Sequence, residues 1–475
     1  MESEIETELP AGGSDELPIR LKKERTTHTL PSPARRDGGM NRLTVLLASI
    51  AIELCLGGIY AWSVFAVPLH AVYGLTMTQT QIIFGTAIAV NTLAMVLAGR
   101  LLPRFGTRTV ATGGGVLLTA GYILAALSHG SFAMLWISLG VILGTGLGFC
   151  YVCPLAVCIK LFPEHRGLVT GLAVAGFGAG SILLANAASY AMDTLNADVL
   201  SVFLTVGIVY GAVIIVSSLF LGHTALKGAK PNDYHLRSAL RKPEYIGLIA
   251  AMFAGTFAGL LVIGNLKPMG LAGGIAAPLA ALAVSAFALG NASGRVLWGL
   301  AYDRFGRSII PLALLITGIS VVALQLSRTV APAFIIAAVV AGLSFGACFV
   351  IFAARLAQAF GADAVPKLYP VILLAYGLSG ITGPYVGGRL YDATGSYAPA
   401  TLIAAAIAVT GVIAYSILNQ PAATLKLIEH VAAPLHSTFL HAEKVLHDWF
   451  PNLHPRHDFI PIHMHTSHRI RRRGH

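Results

Sequence analysis

Apolar segments long enough to cross a membrane recur along most of the chain, and this recurrence restricts the possible folds more than any other feature. A helix needs roughly 20 apolar residues to span the ~30 Å hydrocarbon layer of a bilayer. With 56% hydrophobic residues, 11% charged residues and a mean hydropathy of +0.74, the 475-residue chain lies outside the range of soluble globular proteins. The sequence therefore predicts an all-α membrane protein. Twelve spans are predicted, near residues 43–67, 78–98, 109–128, 132–158, 167–191, 198–221, 244–266, 275–299, 308–327, 331–354, 369–390 and 397–418.

Basic residues are unevenly distributed among the loops between these spans. The even-numbered loops hold 14 Lys and Arg residues, whereas the odd-numbered loops hold only Lys267, Arg328 and Arg389. Because cytoplasmic loops retain positive charge, this bias predicts that both termini are cytoplasmic and that the number of spans is even. The formal net charge of +11 then reflects orientation and contact with anionic lipid, so nucleic acid is not needed as a partner. The plasma membrane is the expected location, since no transit peptide is recognised.

Polar segments flank and divide the apolar part of the chain. The first segment is rich in Pro, Gly, Glu and Arg, which is typical of a disordered tail. A basic stretch in the middle is predicted to join two bundles of six helices on the cytoplasmic side. The predicted organisation is an N-terminal tail (1–40), a first bundle (41–221), a linker (222–243), a second bundle (244–418) and a C-terminal tail (419–475).

The C-terminal tail is basic and carries ten of the 16 histidines of the chain. We interpret it as mostly solvated sequence. Two alternatives remain open for it. His463, His465 and His468 form a candidate site for a transition metal. The stretch 425–449 has nearly helical apolar spacing and is a candidate interfacial helix.

A segment that follows the second predicted span returns after the eighth. Gly99-Arg-Leu-Leu-Pro-Arg-Phe-Gly-Thr-Arg108 and Gly299-Leu-Ala-Tyr-Asp-Arg-Phe-Gly-Arg-Ser308 lie 200 residues apart, and weaker echoes pair 146–149 with 342–345 and 190–193 with 390–392. A constant offset predicts two halves of six spans in parallel order. Duplicated halves of this kind form transporters whose binding site lies between the halves, near the middle of the membrane.

Arg295 stands inside the apolar run of the eighth span, with no acidic residue until Asp303. A guanidinium stays ionised, and at the centre of a bilayer it costs roughly 2.5–3.5 kcal/mol. We interpret Arg295 as facing a water-accessible cavity, where it can bind a carboxylate through two parallel N–H···O bonds. Asn291, one helical turn earlier, can add an amide donor on the same face. The alternatives are a snorkelling or ion-paired Arg295 and an Asn291 that bridges two helices.

The loop after the eighth span has the pattern Gly-x-x-x-Asp-Arg-x-Gly-Arg at Gly299, Asp303, Arg304, Gly306 and Arg307. This pattern resembles the signature loop of the major facilitator superfamily, and the resemblance extends over about residues 40–420. It implies that Gly299, Asp303, Arg304 and Arg307 act in gating, as a cytoplasmic latch between neighbouring helices. In the N-terminal copy Pro103 replaces the Asp, so we expect the stronger latch in the C-terminal half.

Three stretches carry a narrower resemblance: Gly58-Ile-Tyr-Ala-Trp-Ser-Val-Phe65, Gly146-Leu-Gly-Phe-Cys-Tyr151 leading to Phe162-Pro-Glu-His-Arg-Gly167, and Asn291-Ala-Ser-Gly-Arg-Val-Leu-Trp-Gly299. Together they resemble the oxalate:formate antiporter and monocarboxylate transporter branch of that superfamily. The resemblance implies that Tyr151, Asn291 and Arg295 contact a substrate carboxylate. Oxalate exchangers of the family carry a second cation in the eleventh span, where this chain has Tyr376. That difference argues against a dianion and favours a monocarboxylate such as lactate, pyruvate, formate or glycolate.

Tyrosines and one acid complete the predicted site. Tyr151 and Tyr60 lie in the opposite half from Arg295 and can close the site around the anion, and Tyr376 is a third candidate; ordinary packing is the alternative for each. Glu53 is the other ionisable residue within a span, seven positions before Tyr60. Removal from water favours its protonated form, which makes it a candidate proton carrier. Pairing with Arg295 or another polar group, or a position near the headgroups, is the alternative.

The expected function is secondary transport of a small monocarboxylate by proton symport or anion exchange. Its expected partners are the organic anion, a proton or counter-anion, and the lipid bilayer. A carboxylate sensor that keeps the transporter fold and an oxalate:formate-type antiporter are the alternatives. No Ser/His/Asp constellation, metal-ligand cluster or phosphate-binding loop occurs in the spans, so neither an enzyme nor a cofactor is expected.

Overall fold

The computed structural model describes residues 41–162, 166–221, 236–361 and 364–419. The predicted N-terminal tail, most of the predicted linker and the His-rich tail lie outside the described residues. Short 3₁₀ segments (Gly58–Ala61 and Gly306–Ser308) and π-helical segments (Trp136–Leu143 and Tyr190–Thr194) connect some of the α-helices. The α-helices are α1 (Arg42–Gly57), α2 (Trp62–Tyr73), α3 (Met77–Ala126), α4 (Phe132–Leu135), α5 (Gly144–Leu161), α6 (Arg166–Ser189), α7 (Val199–Leu219), α8 (Leu236–Ala239), α9 (Pro243–Ala272), α10 (Ala277–Phe305), α11 (Ile309–Leu326), α12 (Ala331–Phe360), α13 (Val365–Thr394) and α14 (Ala398–Asn419).

The prediction of an all-α membrane protein is confirmed. In the part of the chain that the structure describes, nine helical segments are long and apolar enough to cross a bilayer. Two of them, Met77–Ala126 and Ala277–Leu326, are 50 residues long, although roughly 20 residues suffice for one crossing. The predicted count of twelve agrees with two crossings by each of these segments and one by the 24-residue α6.

A glycine interrupts each of the two long segments. Gly106 has φ 77° and Gly306 has φ 62°, backbone conformations that a residue with a side chain rarely adopts. No atom lies within 4 Å of the position that a Cβ would take at either glycine, so backbone conformation and not packing requires the residue. The two glycines lie 200 residues apart in the repeated loop, and the repeat found in the sequence therefore extends to the backbone geometry.

The two halves of the chain pack against each other within one compact body. We call residues 41–221 the N-half and residues 236–419 the C-half. The main contacts between them run along α3 with α13 and along α6 with α10. Near the middle of the first interface, Gly85 of α3 meets the backbone of Gly380 of α13, with no room for a side chain. Residues that lie between the halves are therefore held by helices of both.

Polar contacts join the halves at the end of the body where α2 ends and α3 begins, which we call the closed end. The Lys267 ammonium on α9 lies 3.0 Å from an Asp193 carboxylate oxygen in the π-helical segment after α6. At the end of α13, the Asp392 carboxylate accepts hydrogen bonds from the backbone N–H groups of Met77 (3.0 Å) and Thr78 (2.7 Å). The odd-numbered loops lie at this end, which the sequence predicts to face away from the cytoplasm.

Two basic residues that the sequence places in loops are buried within helices, so those two loop assignments are wrong. α9 continues to Ala272 and buries Lys267, and α12 continues to Phe360 and buries Arg355. Arg355 lies 3.7 Å from Glu244 of α9. Each charge ends an apolar run, which is why hydropathy ends the span there. A partner of opposite charge on another helix lets the helix continue past it.

Candidate functional site

Arg295 lies on α10 at the interface between the two halves. The central carbon of its guanidinium is 4.8 Å from the centre of the Phe349 ring on α12, a favourable cation–π arrangement. The Tyr151 hydroxyl, which α5 contributes from the N-half, lies near enough to interact with the charge of the guanidinium. Arg295 is half-buried, while the next two residues, Val296 and Leu297, are exposed on the outer surface of the helix. The Arg295 side chain thus turns toward the N-half, which favours the interior interpretation over snorkelling.

No carboxylate of the described residues lies within 4.0 Å of the Arg295 guanidinium. The charge of Arg295 does interact with that of Glu53, on α1 of the N-half. Glu53 is 0% exposed, and neither of its carboxylate oxygens has a hydrogen-bond partner among the described residues. A buried charge without a close partner of opposite sign is poorly compensated. Arg295 is therefore available to bind an anion, and Glu53 is available to bind a proton.

A close crossing of α10 and α12 determines where Arg295 lies. A Cβ added at Gly346 of α12 would overlap the backbone oxygen of Asn291 and come within 3.1 Å of the backbone nitrogen of Arg295. One turn earlier on α12, a Cβ added at Gly342 would lie 3.0 Å from the backbone nitrogen of Asn291. On α10, Gly294 packs against the backbone of α12. Small residues four apart let helix backbones touch, and here they position the helical turn that carries Arg295.

Asn291 lies within this crossing, one turn before Arg295. Its side chain is 2% exposed, and its amide oxygen has no hydrogen-bond partner among the described residues. The structure thus brings Asn291 close to Arg295 but packs it against α12, away from open space. A role in contacting substrate stays a prediction for this residue.

Aromatic rings from both halves surround Arg295. The Tyr60 hydroxyl, from the 3₁₀ segment after α1, lies 2.9 Å from the Tyr376 hydroxyl of α13. Phe177 of α6 packs edge-on against both Tyr60 (5.2 Å) and Tyr151 (5.9 Å). Phe349 lies at 5.3 Å from Tyr376 and from Phe345. We call the following set the aromatic cluster: Tyr60, Tyr151, Phe177, Phe345, Phe349 and Tyr376.

The three tyrosines predicted from the sequence thus meet in one place, but the phenylalanines between them were missed. Within an apolar span, a phenylalanine that lines a site and one that faces lipid give the same hydropathy signal. Tyr369 was missed as well. It lies two turns before Tyr376 on α13, donates to the backbone oxygen of Phe349 at 3.1 Å and interacts with the Arg295 charge. A second tyrosine on the same helix face was the signal that could have identified it.

The predicted gating residues lie at the opposite end from the closed end, around the Gly306 break. Asp303, Arg304 and Arg307 are exposed. The Arg304 guanidinium lies 5.8 Å from the Phe305 ring centre, and Arg307 donates to the backbone oxygen of Asn419 at 3.5 Å. Gly299 lies on α10, and a Cβ added there would lie 3.4 Å from Val350. In the described ranges Asp303 forms no ion pair, so the latch stays a prediction.

Comparison with known proteins identifies a family. The model of the Major Facilitator Superfamily matches residues 47–273 and 246–453. The chain is 29% identical over 353 residues to the MFS-type transporter YhjX of Escherichia coli, covering 72% of this chain and 86% of that protein. It is 26% identical to the oxalate:formate antiporter of Oxalobacter formigenes, covering 74% of this chain and 85% of the antiporter. With monocarboxylate transporter 11 of Mus musculus it shares 27% identity over 81% of this chain and 89% of that protein.

A solved structure supports the same fold. The partially occluded, inward-open xylose transporter XylE of E. coli superimposes with a TM-score of 0.60 at 14% identity, covering 80% of this chain and 97% of XylE. At this identity the likeness concerns the fold alone. The relatives that match by sequence and by family model are transporters and not enzymes, as the sequence led us to expect.

Proposed function

The chain belongs to the major facilitator superfamily and is a multi-pass integral membrane protein, and on that premise we propose that it transports a small monocarboxylate by alternating access. The observation that carries the proposal is Arg295. It is an interior cation without an ion-pair partner among the described residues, placed between aromatic rings of both halves. The named functions of two relatives, an oxalate:formate antiporter and a monocarboxylate transporter, support an organic anion as the cargo.

Arg295 would bind the carboxylate through two parallel N–H···O bonds. Tyr151 interacts with the charge of the guanidinium from the N-half, and its hydroxyl would donate to the anion from the opposite side. The anion then contacts both halves at once. Burying the pair costs desolvation of both ions, which the attraction between them only roughly offsets, so binding stays weak enough for release.

The charge at the centre favours one negative charge on the cargo. Among the described residues Arg295 is the cation of this region. Tyr376, which stands where a second cation would be needed for a dianion, is engaged by the Tyr60 hydroxyl. Lys267 is held by Asp193 at the closed end. We therefore propose formate, lactate, pyruvate or glycolate in preference to oxalate, although exchange of oxalate for formate remains the second candidate because a relative bears that name.

The protonation state of Glu53 distinguishes symport from exchange. When the site is empty, an ionised Glu53 offsets the charge of Arg295, and the halves can reorient without cargo. When a carboxylate occupies Arg295, a proton on Glu53 restores the same balance. Anion and proton then move together, which is symport. If Glu53 instead stays protonated throughout, the empty centre carries an uncompensated cation, empty return is unfavourable, and the protein exchanges one anion for another.

We also propose that the protein lies in the plasma membrane with both termini in the cytoplasm, since the basic residues are concentrated in the even-numbered loops. The closed end would then face the outside. In this arrangement the site would exchange with the cytoplasm first.

Counterflow in proteoliposomes tests the proposed function. Vesicles preloaded with unlabelled formate, L-lactate, pyruvate, glycolate or oxalate are diluted into labelled formate or lactate, at two pH values and with an imposed pH gradient. We expect accumulation of label with monocarboxylates, and none with the Arg295→Ala protein. Binding without counterflow would instead support a sensor, and counterflow only between oxalate and formate would support the antiporter.

A further inference from the structure

Lys267 is an unusual residue for the inside of a membrane helix. Its ammonium, on α9, lies 3.0 Å from an Asp193 carboxylate oxygen and 3.4 Å from the Ser189 hydroxyl, both in the N-half. Lys267 is 2% exposed, whereas the Asp193 side chain is 37% exposed. Asp193 therefore stands between the buried cation and the outside of the protein.

A cleft of about 450 Å³ lies beside this ion pair at the closed end. The N-half lines it with α2 and with the segment that carries Asp193, and the C-half lines it with Lys267, Leu271 and Ala277. A second acid in the cleft, Asp198, is already occupied. It accepts from the Tyr73 hydroxyl at 2.7 Å and from the Leu200 backbone N–H at 3.0 Å, all within the N-half. Lys267 and Asp193 are thus the ion pair of this cleft that joins the two halves.

Opening the closed end would leave Lys267 without its counter-ion, and an anion from the cleft could take the place of Asp193. Separation of the halves draws α9 away from α6 and takes Asp193 from Lys267. A buried ammonium without a counter-ion is strongly unfavourable. An anion that enters from the cleft reaches Lys267 along the side that Asp193 has left, and a carboxylate reproduces the chemistry of the lost partner.

We propose that Lys267 is an entry site for the transported carboxylate, which Asp193 occupies while this end is closed. Asp193 and the cargo then alternate on the same ammonium. The anion first meets Lys267 at the cleft and afterwards Arg295 at the centre. The nature of the anion rests on the proposed function, whereas the exchange of partners at Lys267 rests on the contacts of the closed end.

The internal repeat supports the assignment of the entry site to Lys267. Asp193 and Asp392 occupy corresponding positions in the repeated stretches 190–193 and 390–392, and each bridges to the opposite half. Asp392 binds the backbone N–H groups and a hydroxyl at the start of α3, so its release exposes no buried cation. Both acids close this end, but only the Asp193 side can take up an anion on opening.

The closing role is tested by distance measurement without any substrate. Spin labels at Leu127→Cys and Leu326→Cys report on the closed end, since both residues are exposed, one in each half, and the five native cysteines are buried. In nanodiscs, Asp193→Asn and Lys267→Gln should both broaden the distance distribution toward longer separations. The charge-swapped protein, Asp193→Lys with Lys267→Asp, should return toward the wild-type distribution. Asp198→Asn is the matched control and should not open this end. Unchanged distances in both single variants would overturn the closing role.

The anion-binding role is tested by chemical rescue in the Arg295→Ala protein, which removes the central cation. Asp193→Ala then leaves both an unpaired Lys267 and space for a small carboxylate. We expect sodium formate and sodium L-lactate, against sodium chloride, to raise the thermal unfolding temperature of this variant at about tenfold lower concentration than in Arg295→Ala alone, where Asp193 competes. Asp193→Asn is the second variant if Asp193→Ala does not fold. Further substitution of Lys267→Gln should abolish the response.

The outcomes separate this inference from the proposed function. Equal responses to formate and chloride, or a response that survives Lys267→Gln, overturn the entry site even if wild-type vesicles show counterflow. Rescue that depends on Lys267, in a protein whose wild-type form shows no counterflow of any carboxylate, supports the exchange of anionic partners at Lys267 and rejects the transport proposal.

Discussion

The Tyr60 hydroxyl lies 2.9 Å from the Tyr376 hydroxyl, 316 residues further along the chain and in the opposite half. Both hydroxyls are buried, and both rings belong to the aromatic cluster beside Arg295. The bond connects the 3₁₀ segment after α1 to α13, two elements that must part or pivot when the halves rock. The same two side chains that surround the candidate site therefore also hold the halves together.

Phenylalanine substitutions at these two positions should not be additive. Tyr60→Phe and Tyr376→Phe each leave one buried hydroxyl without its partner, at a cost of about 1–3 kcal/mol. The double variant removes both polar groups together and should be close to the wild type in stability. Thermal unfolding of the four proteins in nanodiscs measures this. A double variant that loses the sum of the two single effects would show that the hydroxyls do not bond to each other.

Arg295 should be replaceable by neither alanine nor lysine. Alanine removes the charge, and lysine keeps it but loses the planar fork that binds a carboxylate through two bonds. We expect Arg295→Lys to lower kcat/KM for formate or lactate uptake by about tenfold or more, equivalent to roughly 1.4 kcal/mol, and Arg295→Ala to abolish uptake. Insertion into the membrane should be unaffected in both. Arg328→Lys, at an exposed loop arginine, is the matched control. Full activity of the lysine variant would refute two-bond recognition.

Much of this fold follows from the sequence because the bilayer imposes a fixed length on each apolar segment. The predicted spans 132–158, 308–327 and 397–418 agree with the observed helices to within a few residues. The repeated loops also follow from sequence, since Gly106 and Gly306 are required by local backbone conformation, which depends little on distant parts of the chain.

Only part of the site can be predicted in this way. A single charge in an apolar run indicates Arg295. The burial of Lys267, however, depends on Asp193, 74 residues earlier, and no local sequence pattern predicts that contact. The packing of Phe349 under the guanidinium is likewise a tertiary contact. Sequence thus identifies the ions, whereas their partners emerge only when the two halves are brought together.

Glu53→Gln should separate proton coupling from anion binding. Glutamine resembles the protonated carboxyl, so an anion at Arg295 still finds a balanced centre and exchange should persist. Acidification on the entry side should accelerate uptake by the wild type, because protonation of Glu53 accompanies loading. In the variant an imposed pH gradient should no longer drive accumulation, as measured with labelled formate or lactate in proteoliposomes. Asp198→Asn, which removes an acid that is hydrogen-bonded within the N-half at the closed end, is the control. An unchanged response to the gradient would exclude Glu53 as the proton carrier.

Gly346→Ala should disturb transport through the backbone of α10, without contacting any side chain that is proposed to bind the substrate. The added methyl group would overlap the backbone oxygen of Asn291 and crowd the backbone nitrogen of Arg295, so α10 and α12 must separate. Overpacking of this kind costs about 1–3 kcal/mol, and the shift moves the guanidinium relative to Tyr151. We expect a lower unfolding temperature and slower uptake. Gly113→Ala, where no atom lies within 4 Å of the new Cβ, should be neutral or slightly stabilising. Equal behaviour of the two variants would mean that the close crossing does not position Arg295.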